Sequence, residues 1–223
     1  MHVNTDSVLL GAWAAGTAKE PGRILDIGTG CGILALMMAQ RFASARIDAL
    51  EIDACAAEEA AANVLSSPWA GRICVRHADF RKTVFTHPYD LVICNPPYFS
   101  QSLTSPDARR TMARHTLGES LTHRELIEGV SHLLAGEGLF ALILPVAMAH
   151  EFFSTAATAG KPLYPQRVTT VYTKRHKPAI RILAQLGRNT VPLVQDTIVI
   201  YGDNGQEYSP QYVSVVRDFY LWA

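Results

Sequence analysis

The sequence predicts an α/β fold in which a mostly parallel β-sheet carries helices on both of its faces. Two observations support this prediction. Strand and helix patterns alternate over roughly the first 160 residues, and such alternation is typical of parallel sheets. After residue 160, three strand patterns follow one another without a helix between them, which predicts antiparallel pairing in the C-terminal region.

The predicted elements follow a regular order along the chain. A short helix over residues 6–15 comes first, with Thr5 or Asp6 as its N-cap. Further strands are predicted at 23–26, 45–50, 73–76, 89–94 and 138–144, and further helices at 32–41, 54–66, 121–134 and 147–159. The last three strands are predicted at 167–172, 180–186 and 197–201. This order fits one parallel sheet that an antiparallel region extends.

Length and composition are those of one ordinary globular domain. A chain of 223 residues can bury one full core, and its 48% apolar and 18% charged residues argue against a disordered or fibrous protein. We divide this domain into an N-terminal helix at 1–22, a core at 23–160 and C-terminal strands at 161–223. We expect the protein to be a monomer.

Two sequence features bear on membranes and metals. The longest apolar stretch, residues 138–153, is too short to span a bilayer and contains Pro145, and the first residues lack a secretory signal. The cysteines are far apart and form no CxxC pair; they are Cys31, Cys55, Cys74 and Cys94. We therefore expect a cytoplasmic protein with reduced thiols inside the fold, no membrane association and no metal site.

The formal net charge of zero hides an uneven distribution. Residues 1–151 contain 12 Lys and Arg against 16 Asp and Glu, whereas residues 152–195 contain seven basic residues and no acidic one. The seven are Lys161, Arg167, Lys174, Arg175, Lys177, Arg181 and Arg188. A segment whose charges are all positive is typical of a surface that binds phosphates, and it is equally typical of an ordinary solvent-exposed surface.

A glycine-rich turn connects the first predicted strand to its helix. It contains Asp26, Gly28, Thr29, Gly30 and Gly32 in the spacing D-x-G-x-G-x-G. Glycines allow a tight turn and a close approach of the backbone to a ligand beside a helix N-terminus. Such a turn fits NAD, flavin or S-adenosylmethionine. The carboxylate of Asp26 favours the last, because it suits the amino group of a methionine moiety and does not suit a pyrophosphate.

Acidic residues also follow the second and third predicted strands. Glu51 is placed to bind the two ribose hydroxyls of a nucleoside cofactor, and Asp53 is placed to cap the next helix. After the third strand, Asp79 could accept a hydrogen bond from an adenine amino group, and Phe80 could lie against the ring. A plain turn role for Asp79 is the alternative.

The most specific motif is the sequence Asn95-Pro96-Pro97-Tyr98 after the fourth strand. An aromatic amine is a poor nucleophile because its lone pair is delocalised into the ring. The Asn95 side-chain oxygen and the Pro96 carbonyl could each accept a hydrogen bond from one N–H of the target amine. These two hydrogen bonds would favour a tetrahedral nitrogen whose lone pair is free. The two prolines would fix those acceptors, and Tyr98 would stack on a planar base.

These two motifs, in this order, resemble the amino-group branch of the Rossmann-like class I methyltransferases over roughly residues 20–145. The resemblance implies a mostly parallel seven-stranded sheet and S-adenosylmethionine as cofactor. It implies that the residues from Asp26 to Gly32, with Glu51 and Asp79, hold the cofactor. It also implies that the residues from Asn95 to Tyr98 hold the target amine, with Asn95 close to the cofactor as well.

Four further segments resemble the bacterial tRNA1(Val) adenine-37 N6-methyltransferase family. They are Thr5–Trp13, Ala113–His115, Lys177–Arg181 and Tyr208–Leu221. This resemblance implies tRNA as the substrate and N6 of adenine as the target atom. It further implies that Arg114 and His115 face the target nucleotide, and that the tRNA backbone is contacted by Lys174, Arg175, Lys177 and Arg181.

Other functions stay open on the sequence. A protein glutamine-N5 methyltransferase acting on a release factor would use the same Asn95 turn, because an amide nitrogen has the same delocalised lone pair. Such enzymes usually carry a helical N-terminal domain, for which we find no segment. A non-catalytic binding protein would not need the turn at all. We expect Trp13 and Trp69 to pack in the fold.

Overall fold

Eight strands form one sheet in the computed structural model, which describes residues 4–14, 20–96, 121–202, 204 and 206–220. The strands are β1 (Arg23–Ile27), β2 (Arg46–Glu51), β3 (Ile73–His77), β4 (Tyr89–Cys94), β5 (Leu134–Pro145), β6 (Tyr164–Tyr172), β7 (Ala179–Gly187) and β8 (Val194–Val199). The helices of the described residues are α1 (Thr5–Trp13), α2 (Ile33–Arg41), α3 (Ala54–Leu65), α4 (His123–Leu133), α5 (Val146–Ala157) and α6 (Pro210–Val216). The predicted α/β fold is confirmed.

The strand order is β3-β2-β1-β4-β5-β7-β6-β8. Strands β1 to β5 are parallel, and β7 is antiparallel to both β5 and β6. Since β8 is parallel to β6, every strand except β7 ends at the same edge of the sheet. We call this the carboxyl edge. Ligands of open α/β sheets bind outside this edge, so the fold indicates where a site belongs.

The C-terminal region differs from the prediction in three ways. The sheet has eight strands, which is the number of strand patterns in the sequence and one more than the seven that the resemblance implies, and β8 pairs with β6 in parallel instead of antiparallel. The reason is that β7 ends at the opposite edge, so the next strand starts there and runs in the direction of β6. A short helix, α6, also follows β8 where no helix was predicted.

Two apolar layers cover the sheet, one on each face. Helices α1, α2 and α6 bury their apolar side chains against one face, and α4 and α5 cover the other. Neighbouring residues of a strand point to opposite faces, so Ile24 belongs to the first layer and Leu25 to the second. No helix in the described ranges is long and apolar enough to cross a bilayer.

Local details correct two smaller predictions. The N-cap of α1 is Asn4, whose side chain accepts a hydrogen bond from the Ser7 N–H, and not Thr5 or Asp6. All four cysteines are free thiols, but only Cys31 and Cys94 are buried, whereas the other two are exposed on α3 and β3. A residue of a short helix or strand can face the core or the solvent, and the sequence alone did not show which of the four cysteines face the core.

Candidate active site

The glycine turn between β1 and α2 requires its glycines because its backbone is left-handed. Gly28, Gly30 and Gly32 have φ angles of 71°, 59° and 89°. A Cβ atom at Gly32 would lie 3.4 Å from the Cβ of Ala60 on α3, so the helix approaches the turn closely there. At Gly28 a Cβ atom would meet nothing within 4 Å, which leaves open space on the ligand side of the turn.

Asp26 lies beneath this turn and is fully buried. Its Oδ2 atom accepts hydrogen bonds from the Thr29 hydroxyl at 2.5 Å and from the Ala35 N–H at 3.2 Å. The Oδ1 atom is buried and has no hydrogen-bond partner among the described residues. Burial raises the pKa of Asp26 to about 7. A buried carboxylate oxygen without a donor fits a cationic group such as the ammonium of an amino acid.

Glu51 joins the end of β2 to the glycine turn. Its Oε2 atom accepts from the Gly30 N–H at 2.8 Å, and its Oε1 atom accepts from the N–H groups of Ile52 and Asp53 at 2.9 and 3.0 Å. Asp53 accepts from the Ala56 N–H at 2.9 Å and is the N-cap of α3, which confirms its predicted role as a cap.

A cleft of about 400 Å³ opens beside Glu51 at the carboxyl edge. Its lining residues are Ile52, His77, Ala78, Asp79, Arg81 and Lys82. Ile52 is 43% exposed, which is unusual for a large apolar side chain next to a buried acidic residue. The sequence analysis missed Ile52, although an apolar residue directly after the acidic end of β2 was the available signal.

Asp79 lines this cleft, whereas Phe80 is buried next to it in the chain. Both carboxylate oxygens of Asp79 accept hydrogen bonds from Arg81, which lowers the pKa of Asp79, and its Oδ1 also accepts the Arg81 backbone N–H. This is the turn role left open as the alternative. The ring of Phe80 is only 8% exposed and packs on Gly129 and Phe85, so it lies in the core instead of facing a ligand.

Asn95 follows the last residue of β4 at the same level as the glycine turn. Ile27 of β1 is in register with both Leu50 of β2 and Cys94 of β4. The residues one position further along are Gly28, Glu51 and Asn95, and they therefore lie side by side at the carboxyl edge. Three of the sequence-predicted site residues are brought together in this way.

The Asn95 side chain contacts the N-terminal helix. Its Nδ2 atom donates to Ser7 Oγ at 2.9 Å, and Pro96 is buried behind it. The remaining predicted residues of this region, Pro97, Tyr98, Arg114 and His115, lie outside the described residues.

The basic segment is divided between a loop and internal partners. Lys174, Arg175 and Lys177 lie in the loop between β6 and β7 at the carboxyl edge, and the last two are exposed. Arg181 instead donates from Nε to Asp6 Oδ2 at 2.8 Å, so an acidic residue far away in sequence holds the guanidinium that was predicted to face the tRNA.

Two more arginines of the segment are also held within the protein. Arg167 pairs with Asp196 at 2.9 Å and lies 4.7 Å from the centre of the Trp13 ring. Arg188 donates to the carbonyls of Ser131 and Leu134, both at 2.7 Å. The seven basic residues therefore do not form one uniform surface.

Trp13 and Trp69 pack in the fold as predicted. Trp13 is 3% exposed and donates from Nε1 to Thr169 Oγ1 at 2.7 Å, and Trp69 packs against the same apolar layer. Within the described ranges, no group of three or more His, Cys, Asp or Glu side chains is placed to hold a metal ion.

Comparison with known proteins places this geometry in context. The chain matches the methyltransferase small domain family over residues 7–124. Two relatives named tRNA1(Val) (adenine(37)-N6)-methyltransferase, from Bacteroides fragilis and Photobacterium profundum, are 41% and 43% identical to it. The alignments cover 99% of this chain in both cases, and 91% and 92% of the relatives.

Solved structures share the fold at lower identity. A predicted O-methyltransferase from Agrobacterium tumefaciens gives a TM-score of 0.72 at 19% identity, over 96% of both chains. An O-methyltransferase of Brevibacillus brevis, solved in complex with S-adenosyl-L-homocysteine, gives a TM-score of 0.55 at 13% identity, over 82% of this chain and 71% of that one. These likenesses show a methyltransferase fold.

Proposed function

The chain belongs to the methyltransferase small domain family and, within it, to the tRNA1(Val) (adenine(37)-N6)-methyltransferases, and we propose that it methylates N6 of adenine 37 in tRNA1(Val). The methyl donor is S-adenosylmethionine. The observation that carries the proposal is the full-length similarity to these relatives, together with Asn95 beside Glu51 and the glycine turn at one sheet edge. We further propose a cytoplasmic monomer.

The residues of the glycine turn fit the cofactor. The Oδ1 atom of Asp26, for which the described residues provide no donor, would accept from the amino group of the methionine moiety, and the cation would keep this carboxylate ionised. Glu51 would bind the ribose hydroxyls through Oε2, which accepts one hydrogen bond in the structure and has a lone pair left for another. The exposed face of Ile52 and the cleft beside it would hold the adenine ring. When bound, the cofactor supplies an electrophilic methyl group.

The Asn95 turn would prepare the target nitrogen. The Asn95 side-chain oxygen and the Pro96 carbonyl would accept the two N6–H groups, so that the nitrogen lone pair is free to attack. Pro97 would fix the turn, and Tyr98 would stack on the flipped adenine. A separate general base is not needed before attack, since the N–H becomes acidic as the nitrogen gains its methyl group. The methylated nitrogen carries a positive charge at this point and loses its extra proton to water.

The basic loop at the carboxyl edge would bind the tRNA backbone. Lys174, Arg175 and Lys177 lie on the same edge of the sheet as Asn95, in the loop that joins β6 to β7, which are three and two strands away from β4. With a spacing of about 4.8 Å between strands, the loop lies about 10–15 Å from Asn95. That distance suits contacts with nucleotides that flank a flipped base, and Arg114 and His115 would contact the target nucleotide itself.

The proposal is tested by following labelled methyl from S-adenosylmethionine into tRNA that lacks native modification. We expect N6-methyladenosine after digestion to nucleosides, and a loss of at least about 100-fold in kcat for Asn95→Ala with little change in cofactor affinity. Lys161→Ala, at an exposed site on the opposite edge, is the matched control. Methylation of a release-factor glutamine without any tRNA product would establish the alternative function.

A further inference from the structure

The first turn of α1 lies across the carboxyl edge and contacts two strands. Ser7 Oγ accepts a hydrogen bond from Asn95 Nδ2 at 2.9 Å, just beyond β4. The preceding residue, Asp6, pairs with Arg181 of β7 at 2.8 Å. Strand β5 lies between β4 and β7. Two adjacent residues of one helical turn therefore connect the Asn95 amide to the arginine of a strand two positions away.

This turn is held firmly at the edge. The Asn4 side chain caps α1 by accepting the Ser7 N–H at 2.8 Å. The Asp6 and Arg181 side chains are only 21% and 28% exposed, so their ion pair is partly withdrawn from solvent. A partly buried, hydrogen-bonded ion pair constrains both partners more than an exposed one does.

The orientation of the Asn95 amide determines what it presents to an amine. A carboxamide has an oxygen that accepts and an NH₂ group that donates. Only the oxygen can receive an N–H of the target, and rotation of the amide by half a turn would replace it with a donor. In the structure the Ser7 hydroxyl accepts from the NH₂ end of Asn95, so the donor end of the amide makes the contact with α1.

We propose that Ser7 is a positioning residue for Asn95, and that the Asp6–Arg181 ion pair holds Ser7 in place. The proposal rests on the function proposed above, in which the Asn95 oxygen accepts the N6–H. It gives Arg181 a role inside the protein in place of a contact with the tRNA backbone. Neither residue touches the reacting atoms, so each acts through Asn95.

Steady-state kinetics of Ser7 variants test the first half of the proposal. Loss of one hydrogen bond that orients a catalytic amide predicts a decrease in kcat of about 5- to 10-fold for Ser7→Ala, with the KM values for tRNA and cofactor unchanged. Ser7→Thr keeps a hydroxyl at this position, and we expect its kcat to stay within about twofold of the wild type. Wild-type kcat in Ser7→Ala, or a change confined to KM, overturns the assignment.

Arg181 variants test the second half against the tRNA contact. Arg181→Ala should lower kcat and leave the KM for tRNA unchanged, and Lys177→Ala should raise that KM and leave kcat unchanged. Exchange of the two charges, with Asp6→Arg and Arg181→Asp in one protein, should recover part of the lost kcat. If Arg181→Ala instead behaves as Lys177→Ala does, Arg181 contacts the RNA and the second half is wrong.

A measurement without turnover separates this proposal from the proposed function. In ¹⁵N-labelled protein the side-chain amide of Asn95 is assigned from the signals that disappear in Asn95→Asp. One of its protons should be shifted downfield and exchange slowly, and should lose both properties in Ser7→Ala but not in Ser7→Thr. Identical amide signals in wild type and Ser7→Ala overturn the positioning role. Absence of methyl transfer to any tRNA, with these signals as expected, contradicts only the proposed function.

Discussion

Asp26 should make the stability of the cofactor-free protein decrease as pH rises. Its carboxyl group is fully buried, one of its oxygens has no partner in the described part of the chain, and its pKa is raised from 3.8 to about 7. Between these two values the folded protein holds a proton that the unfolded chain has released. The free energy of unfolding therefore falls by about 1.4 kcal/mol per pH unit in that window, and it levels off above pH 7.

Asp26→Asn removes this titration and keeps the shape of the side chain. Its carbonyl oxygen can still accept from the Thr29 hydroxyl and the Ala35 N–H. Of the range from pH 5 to pH 8, only the part below the folded-state pKa of about 7 changes the stability of the wild type, which is about two pH units. The free energy of unfolding of the variant minus that of the wild type should therefore rise by about 3 kcal/mol between pH 5 and pH 8. Urea denaturation of both proteins at each pH measures this difference, and titrations common to both proteins cancel.

Cofactor binding should show the opposite trend. An ammonium group beside Asp26 stabilises the carboxylate, so S-adenosylhomocysteine should bind wild type more tightly at pH 8 than at pH 6. Asp26→Asn should bind weakly at both values. The reasoning is refuted if the stability difference between the two proteins is the same at pH 5 and pH 8, since Asp26 would then be ionised throughout.

Three further predictions concern binding and backbone geometry. Glu51→Gln should weaken S-adenosylhomocysteine binding by at least about 10-fold in calorimetry, because a charged acceptor for the ribose hydroxyls is lost; unchanged affinity would remove Glu51 from the site. Gly32→Ala should cost about 1–2 kcal/mol in urea denaturation because φ is 89°, whereas Gly71→Ala, where a Cβ meets nothing within 4 Å, should be nearly neutral; equal effects would contradict the backbone argument. Lys177→Ala should reduce the salt dependence of tRNA binding, so that the slope of the logarithm of the binding constant against the logarithm of the salt concentration changes by about 1, and Lys161→Ala should leave this slope unchanged. Equal slopes in the two variants would exclude a phosphate contact at the loop.

Elements with a strong local signal were predicted well from the sequence. Strand β4 begins and ends at the predicted residues because its buried apolar run is bounded by polar positions and by Pro96. The cap at Asp53 was also predicted, since it depends on the residues of its own helix turn. The meeting of Gly28, Glu51 and Asn95 follows from parallel register alone, which explains why the sequence was enough to place these motifs at one site.

Side-chain partners that are distant in sequence could not be predicted. Arg181 pairs with a residue 175 positions away, and nothing in the surrounding sequence distinguishes it from the exposed Lys177. The same holds for Ser7 and Asn95, which are 88 positions apart. The pairing of Asp79 with Arg81 is different, because it is local and the alternation of charges was visible. The direction of β8 depended on where β7 ends, which is a property of the whole sheet.

Methylation of N6 of adenine 37 by this chain is tested most directly by a comparison of three substrates. Wild-type protein is incubated with labelled S-adenosylmethionine and an unmodified tRNA1(Val) transcript, or the same transcript with guanine at position 37. A recombinant release factor is assayed in parallel. We predict N6-methyladenosine in the first transcript and no label in the other two substrates. Equal labelling of both transcripts would contradict the assigned position, and label only in the release factor would contradict the RNA substrate altogether.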